Sequence, residues 1–373
     1  MHTRTTVARL PRLLAVALFA AGCRDAVGPE RHAPSGPQFA TVATAPALDQ
    51  VNGTLGGSGT ALLKGFNPTN PHVGDAIIAT FFWLGSTNII TSVTDHLTDG
   101  TPVGNPYTLV EYVTAGGISM ATYVATNVQN FPDPNPTQET VLVVQANLSS
   151  SVTDGGVMLS AYRGLTVALG AHLSASGSGS SQTTADPGAI PVPAGALAYG
   201  VTMSDGVVGH FPPVGFTNLA TESDAAMKTD GEYAVQTSAG TVDPQWTWFF
   251  NSPSTWLATT LALTPAATHL VFSVQPSTTL PLFTIKPPVQ VTAVDDLGNP
   301  VPSFSGSVTI AIGHNGGLLL PGTLSGTKTV AVVNGVATFA DLSIDQAGNG
   351  YTLTVTVPGL TGAESAPFNI GLM

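Results

Sequence analysis

From Val51 onward the chain alternates short runs rich in Val, Ile, Thr, Phe and Tyr with breaks of Gly, Asn, Asp and Pro, the pattern of strands and turns. No convincing long amphipathic helix interrupts it. Two runs, 74–84 (GDAIIATFFWL) and 139–146 (ETVLVVQA), are nearly continuous in apolar residues, which predicts strands in the middle of a sheet and marks them as core. Runs at 107–113, 118–124, 157–162, 196–203, 245–250 and 255–263 predict further strands. The Ser/Gly tract 174–181 and the Pro-rich 133–136 read as loops, because neither has the apolar surface to hold a strand. The roughly one dozen runs between 51 and 264 suit a large sandwich or jelly roll better than a small barrel.

A joint at 264–268 (TPAAT) opens a second module, 265–373. In 330–339 (VAVVNGVATF) two alternating runs flank Asn334-Gly335, residues that tolerate the positive φ of a type I′ hairpin. Another turn, 295–300 (DDLGNP), follows the alternating PVQVTAVD, and 307–312 and 351–357 add strands. The expected fold class is all-β: a large, jelly-roll-like N-terminal sandwich over 51–264, then a smaller sandwich.

The second module closely resembles a bacterial immunoglobulin-like domain of the invasin and intimin type. The matching segments are HLVFSVQPS (269–277), PVQVTAVDDLGNPV (288–301), GTLSGTKTVAVVNGVATFADLSI (322–344), DQAGNGYTLTV (345–355) and PFNI (367–370). In immunoglobulin sandwiches a Tyr near the start of the sixth strand caps a corner two residues before a core cysteine. The resemblance therefore implies a corner at Tyr351, with Leu353 at the cysteine position packing near Val289 or Val291. Such modules resemble the spacers and adhesive units of surface proteins. In the first module, GDAIIATFFW, IITSVTD and YTLVEYV are similar to a β-sandwich segment of exported bacterial proteins, which implies no activity.

Ahead of the strands, Arg4, Arg9 and Arg12, the apolar 13–19 and the small residues 20–22 read as an export signal over 1–22. Cys23, the one cysteine of 373 residues, follows at once and resembles the lipid-modified residue of a bacterial lipobox, with Ala20 where Leu is commoner. The resemblance implies anchoring to the cell envelope through this N-terminal lipid. Arg24 rather than Asp follows the cysteine, so the outer membrane is the expected site in a two-membrane cell. Residues 23–50, holding Pro29, Pro34, Pro37 and Pro46, form an extended tether.

Once the signal is removed, 7 basic residues face 22 acidic ones, a net charge of −15. Nucleic acid is a poor partner, since binding it needs a basic patch that releases counterions. With Cys23 modified, the mature chain has no thiol for a disulfide or a metal. No cofactor is implied. Calcium is the one inorganic ligand that fits clustered loop oxygens, as at Asp95, Asp99 and Asn105 or at Asp295, Asp296 and Asn299, although turn chemistry explains both groups. The histidines of the mature chain, His32, His72, His96, His172, His210, His269 and His314, show no compact ligand spacing and read as surface or turn residues.

No Gly-x-Ser-x-Gly, phosphate-binding glycine loop or His-Glu-x-x-His segment occurs. Glu222 and Asp224 stand two apart, as do Asp230 and Glu232, the spacing of a carboxylate pair on one strand face. The segment 221–225 (TESDA) reads as a polar loop, and a solvated loop or a weak cation site is favoured over catalysis by these acids. Trp246 and Trp248 share a strand face and are the candidate glycan platform, with core packing as the competing reading. The chain is thus expected to be a non-enzymatic binding or adhesion protein whose ligand is a glycan or a surface protein. A carbohydrate-active N-terminal sandwich and a purely structural envelope component are the alternatives.

Overall fold

The computed structural model describes residues 46–371 except 136, 138, 164–166, 207–212, 296–297 and 303, with the backbone alone at 182 and 248–253. The export signal, Cys23 and most of the tether lie outside the described residues. Every helix or strand among the described residues is a strand.

The first module comprises β1 (Ala47–Gly65), β2 (Ala76–Leu84), β3 (Ile90–Leu97), β4 (Thr108–Ala115), β5 (Ile118–Ala125), β6 (Leu142–Arg163) and β7 (Val167–Ala185). It continues with β8 (Ile190–Val192), β9 (Leu197–Ser204), β10 (Thr217–Ser223), β11 (Lys228–Val235), β12 (Gly240–Val242) and β13 (Trp246–Pro265). One antiparallel sheet runs β1-β6-β2-β5-β4 and another β10-β11-β9-β13-β7. The long pair β1 and β6 bends at register shifts around Gly57 and Gly59. One half of β6 then lies between β1 and β3, and the other half between β1 and β2. Bulges make this possible by breaking the ladder locally and increasing the twist.

Alternation along β2 explains its unbroken apolar run. Ile78 and Phe82 face the second sheet, where they meet Tyr199, Val201, Leu257 and Leu261. Ile77, Ala79, Phe81 and Trp83 face the opposite side and pack beneath β3 and the loops around Val103 and Phe131. The strand β2 is therefore buried on both faces. Each large side chain so buried contributes about 1.5–3 kcal/mol.

Three sequence expectations change. The tract 174–181 is strand, the central part of β7, which pairs with β13 from Trp256–Gly177 through Thr259–Ser174. Backbone hydrogen bonds rather than apolar burial hold it, and as an edge strand it can remain polar. Gly177 is needed there, since a Cβ would lie 2.6 Å from the Trp256 ring. The runs 245–250 and 255–263 also join in a single strand, β13, and β1 starts at Ala47, inside the expected tether.

The second module contains β14 (His269–Val274), β15 (Val289–Val294), β16 (Ser307–Ile312), β17 (Leu324–Ser325), β18 (Thr329–Ala331) and β19 (Val336–Phe339). After these come β20 (Ser343–Ile344), β21 (Gly348–Tyr351), β22 (Leu353–Thr356), β23 (Ala363–Glu364) and β24 (Phe368–Ile370). Sheets β14-β15-β19 and β18-β16-β22-β23 enclose a core that includes Val289, Val291, Ile310, Phe339, Leu353 and Val355. The turn at Asn334 (φ 50) and Gly335 (φ 76) forms as the sequence indicates, closed by reciprocal Val333–Val336 backbone bonds of 2.9 and 3.0 Å. Its flanking strands then part, β18 joining one sheet and β19 the other. Tyr351 is fully buried, and its hydroxyl donates to the carbonyl of Gln346 at 3.0 Å, a side-chain cap on the corner.

Candidate functional site

The residues singled out in the sequence fall into two environments on the second sheet. In β11, Gly231 faces the interior between the sheets, where a Cβ would lie 2.3 Å from the Met158 sulfur. Its neighbours Asp230 and Glu232 therefore point to the opposite face. Both are buried, and neither carboxylate oxygen of Glu232 has a hydrogen-bond partner among the described residues. Burial, with the Asp230 charge adding to it, pushes Glu232 up to about 9, so this side chain is a neutral acid at neutral pH. Asp230 is also raised by burial, but less freely, because Thr221 Oγ1 (2.7 Å) and Asn218 Nδ2 (2.8 Å) donate to it.

Trp246 closes over this face. It is fully buried, and a Cβ on Gly200, the β9 residue paired with Glu232, would lie 3.0 Å from its ring. Its indole N–H lies near the Asp230 carboxylate without closing a hydrogen bond to it. Trp246 is thus a core residue and offers no face to a sugar, which overturns its place in a glycan platform. The side chain of Trp248 lies outside the described residues. Glu222 and Asp224 do not form a pair. Glu222 reaches across to β1, where a Cβ on Gly53 would meet its Oε1 at 2.9 Å. Asp224 instead caps its own turn, accepting from the backbone N–H of Ala226 and of Met227, each at 2.7 Å.

The loop carboxylates read as calcium candidates are occupied by N–H donors. Asp95 accepts from Gly104 N (2.7 Å), Asn105 N (3.0 Å) and Asn105 Nδ2 (2.7 Å). Asp295 accepts from Asn299 N at 2.9 Å, and Asp296 lies outside the described residues. Asp95 thus ties β3 to the loop nine and ten residues on, and Asp295 closes the turn that follows it.

A different group converges at the start of the first module. Asp49, His72 and Asp75 place ligand-capable atoms within 4.8 Å of one another, the one such trio among the described residues. Asp49 is the extra residue of a β-bulge, since Leu48 pairs with Tyr162 and Gln50 with Ala161. His72 and Asp75 are the ends of a turn in which the Asp75 N–H bonds the His72 carbonyl (3.2 Å) and Gly74 takes φ 97. That φ, at the third residue, is the type II geometry that favours glycine. His72 Nδ1 lies 2.9 Å from Asp49 Oδ2, and the His72 backbone N–H donates to Asp49 Oδ2 (3.0 Å) and Asp75 Oδ2 (3.1 Å). The Arg163 guanidinium stands 3.5 Å from Asp49 Oδ1. Burial and the facing Asp49 carboxyl push Asp75 up to about 7. Histidine spacing alone could not reveal this trio, because two of its members are carboxylates and Asp49 lies 23 residues before His72.

The second module carries its unusual chemistry on loops. Leu282 and Phe283 are 74% and 63% exposed, and Leu318, Leu319 and Leu320 are 68%, 94% and 63% exposed. The two loops flank one segment, Leu282 N–H bonding the Ile344 carbonyl (2.8 Å) and Leu318 N–H that of Ala347 (3.1 Å). Leu282 has φ 70, a left-handed backbone that is uncommon for a branched aliphatic residue. A small cleft of about 210 Å³, lined in part by Thr278, Leu318, Ala347 and Ile370, opens beside them.

No family model matches the chain, and no curated protein matches it.

Proposed function

We propose that the protein is a non-enzymatic binding or adhesion protein of the cell surface, lipid-anchored through Cys23, with an immunoglobulin-like C-terminal module that makes the contact. The exposed apolar loops of that module carry this reading. Monomeric proteins rarely leave large apolar side chains together in water unless they mark an interaction site. Here two adjacent loops do so, and one of them holds Leu282 in a strained backbone conformation of the kind that persists at functional sites. The capped corner at Tyr351 and the aliphatic core around Leu353 support the immunoglobulin-like assignment.

The first module supports the reading differently. Its best-placed acids, Asp230 and Glu232, are 2% and 0% exposed beneath Trp246, and a carboxyl group so covered touches no polysaccharide. The test is to present the purified protein to arrays of glycans and of surface proteins, and to a panel of soluble polysaccharides. Specific retention without turnover is the expected result. Release of reducing ends that disappears in Glu232→Gln would make the protein a carbohydrate-active enzyme instead. Feeding cells a clickable palmitate tests the anchor, which requires that labelling be lost in Cys23→Ala.

A further inference from the structure

We propose that Asp49, His72 and Asp75 hold a single divalent transition cation of the zinc class. The donor set selects the ion. Calcium takes six to eight oxygens and magnesium an octahedral oxygen shell, whereas an imidazole nitrogen with two carboxylate oxygens suits zinc. Two ligands at about 2.05 Å from a tetrahedral zinc are roughly 3.3 Å apart. Asp49 Oδ2 and His72 Nδ1 are 2.9 Å apart, and all three ligand atoms lie within 4.8 Å of one another, so side-chain adjustment alone would gather them.

The backbone is arranged to keep them there. The bulge at Asp49 re-aims that carboxylate out of the strand alternation, as bulges beside functional sites do. The 72–75 turn is clamped on its far side by Gly74 N–H to Val128 O (2.8 Å), Val128 N–H to Asp75 O (2.9 Å) and Val73 N–H to Asp133 Oδ1 (3.0 Å). One N–H, that of His72, draws Oδ2 of both aspartates towards a common point. Arg163 takes Asp49 Oδ1 and leaves Oδ2 facing His72, the role of an outer partner that orients a ligating carboxylate.

Access is also suitable. The Asp49 and Asp75 side chains are buried, while that of His72 is 45% exposed, so the trio has a protein floor and an open mouth. Three protein ligands and an open fourth position is the arrangement of zinc sites that keep a water. On binding, His72 Nδ1 gives its lone pair to the cation, and its proton resides on Nε2. The ion then fastens the first residues of β1 to the β1–β2 loop.

The experiment uses the purified full chain, stripped with chelator, titrated with zinc chloride in a calorimeter and with cobalt chloride by visible absorption. One zinc per chain is expected, together with cobalt d–d bands. Affinity should fall at least tenfold in His72→Ala and in Asp75→Asn, the second of which keeps an acceptor for the His72 N–H. Metal-free circular dichroism and melting identify any variant that has unfolded, and His72→Gln then replaces it. No saturable zinc binding, unchanged affinity in both variants, or saturation by calcium chloride but not zinc would each overturn the site.

Discussion

The hydroxyl groups of Thr80 and Tyr199 meet at 3.0 Å in the interior of the first module, one from each sheet, with Thr122 completing the group 3.1 Å from Thr80. All three residues are buried among apolar side chains, so the bond fixes how the two sheets face each other. Thr80→Val keeps the shape but leaves the Tyr199 hydroxyl without a partner, at a cost of about 1–3 kcal/mol. Tyr199→Phe should cost less, about 0.5–1.5 kcal/mol, because Thr80 retains Thr122. Urea unfolding of the two variants checks the order, and equal losses would remove the bond from the account.

Glu232 gives a pH dependence of definite sign. Its ordinary value is 4.5 and its folded value about 9, so the folded state holds the proton more tightly than the unfolded chain. The stability linked to that proton is present in full below 4.5 and is lost as pH rises through about 9. Between these limits the loss is at most about 1.4 kcal/mol per pH unit. Glu232→Gln abolishes this contribution. Melting curves from about pH 5 to about pH 9 should show the variant gaining on the parent as pH rises. Parallel curves would show that Glu232 does not titrate in this window.

Trp83 and Trp246 are fully buried and Trp256 is 9% exposed. In Trp248→Phe, which retains these three, emission should be blue-shifted and poorly quenched by iodide. Strong quenching would return Trp246 to the surface and reopen the sugar platform.

The corner bond from Tyr351 to Gln346 should be worth about 1 kcal/mol to the second module, lost in Tyr351→Phe and read from its unfolding transition. The Asn334-Gly335 turn and the central strand β2 were legible in the sequence because each is written locally, as a dipeptide that tolerates positive φ or as an unbroken apolar run. The strand at 174–181 was not, since its order comes from pairing with β13 across the sheet and its side chains carry no apolar signal. The Asp49, His72 and Asp75 trio was hidden for a related reason. It depends on a one-residue bulge and on a turn clamped by Val128 and Asp133, none of which alters hydrophobic periodicity. Glu222 and Asp224 show the converse, a suggestive spacing separated by the fold into a contact with Gly53 and a turn cap.

The most direct test of the proposed function compares the parent protein with Leu319→Asp and Phe283→Asp on the ligands retained from the glycan and surface-protein arrays. Both side chains are exposed, so the substitutions should leave melting unchanged, as surface replacements usually do within about 0.5 kcal/mol. The account predicts that each charge reduces retention at least tenfold while no ligand is chemically altered. Full retention by both variants, or conversion of a retained ligand into product, would contradict it.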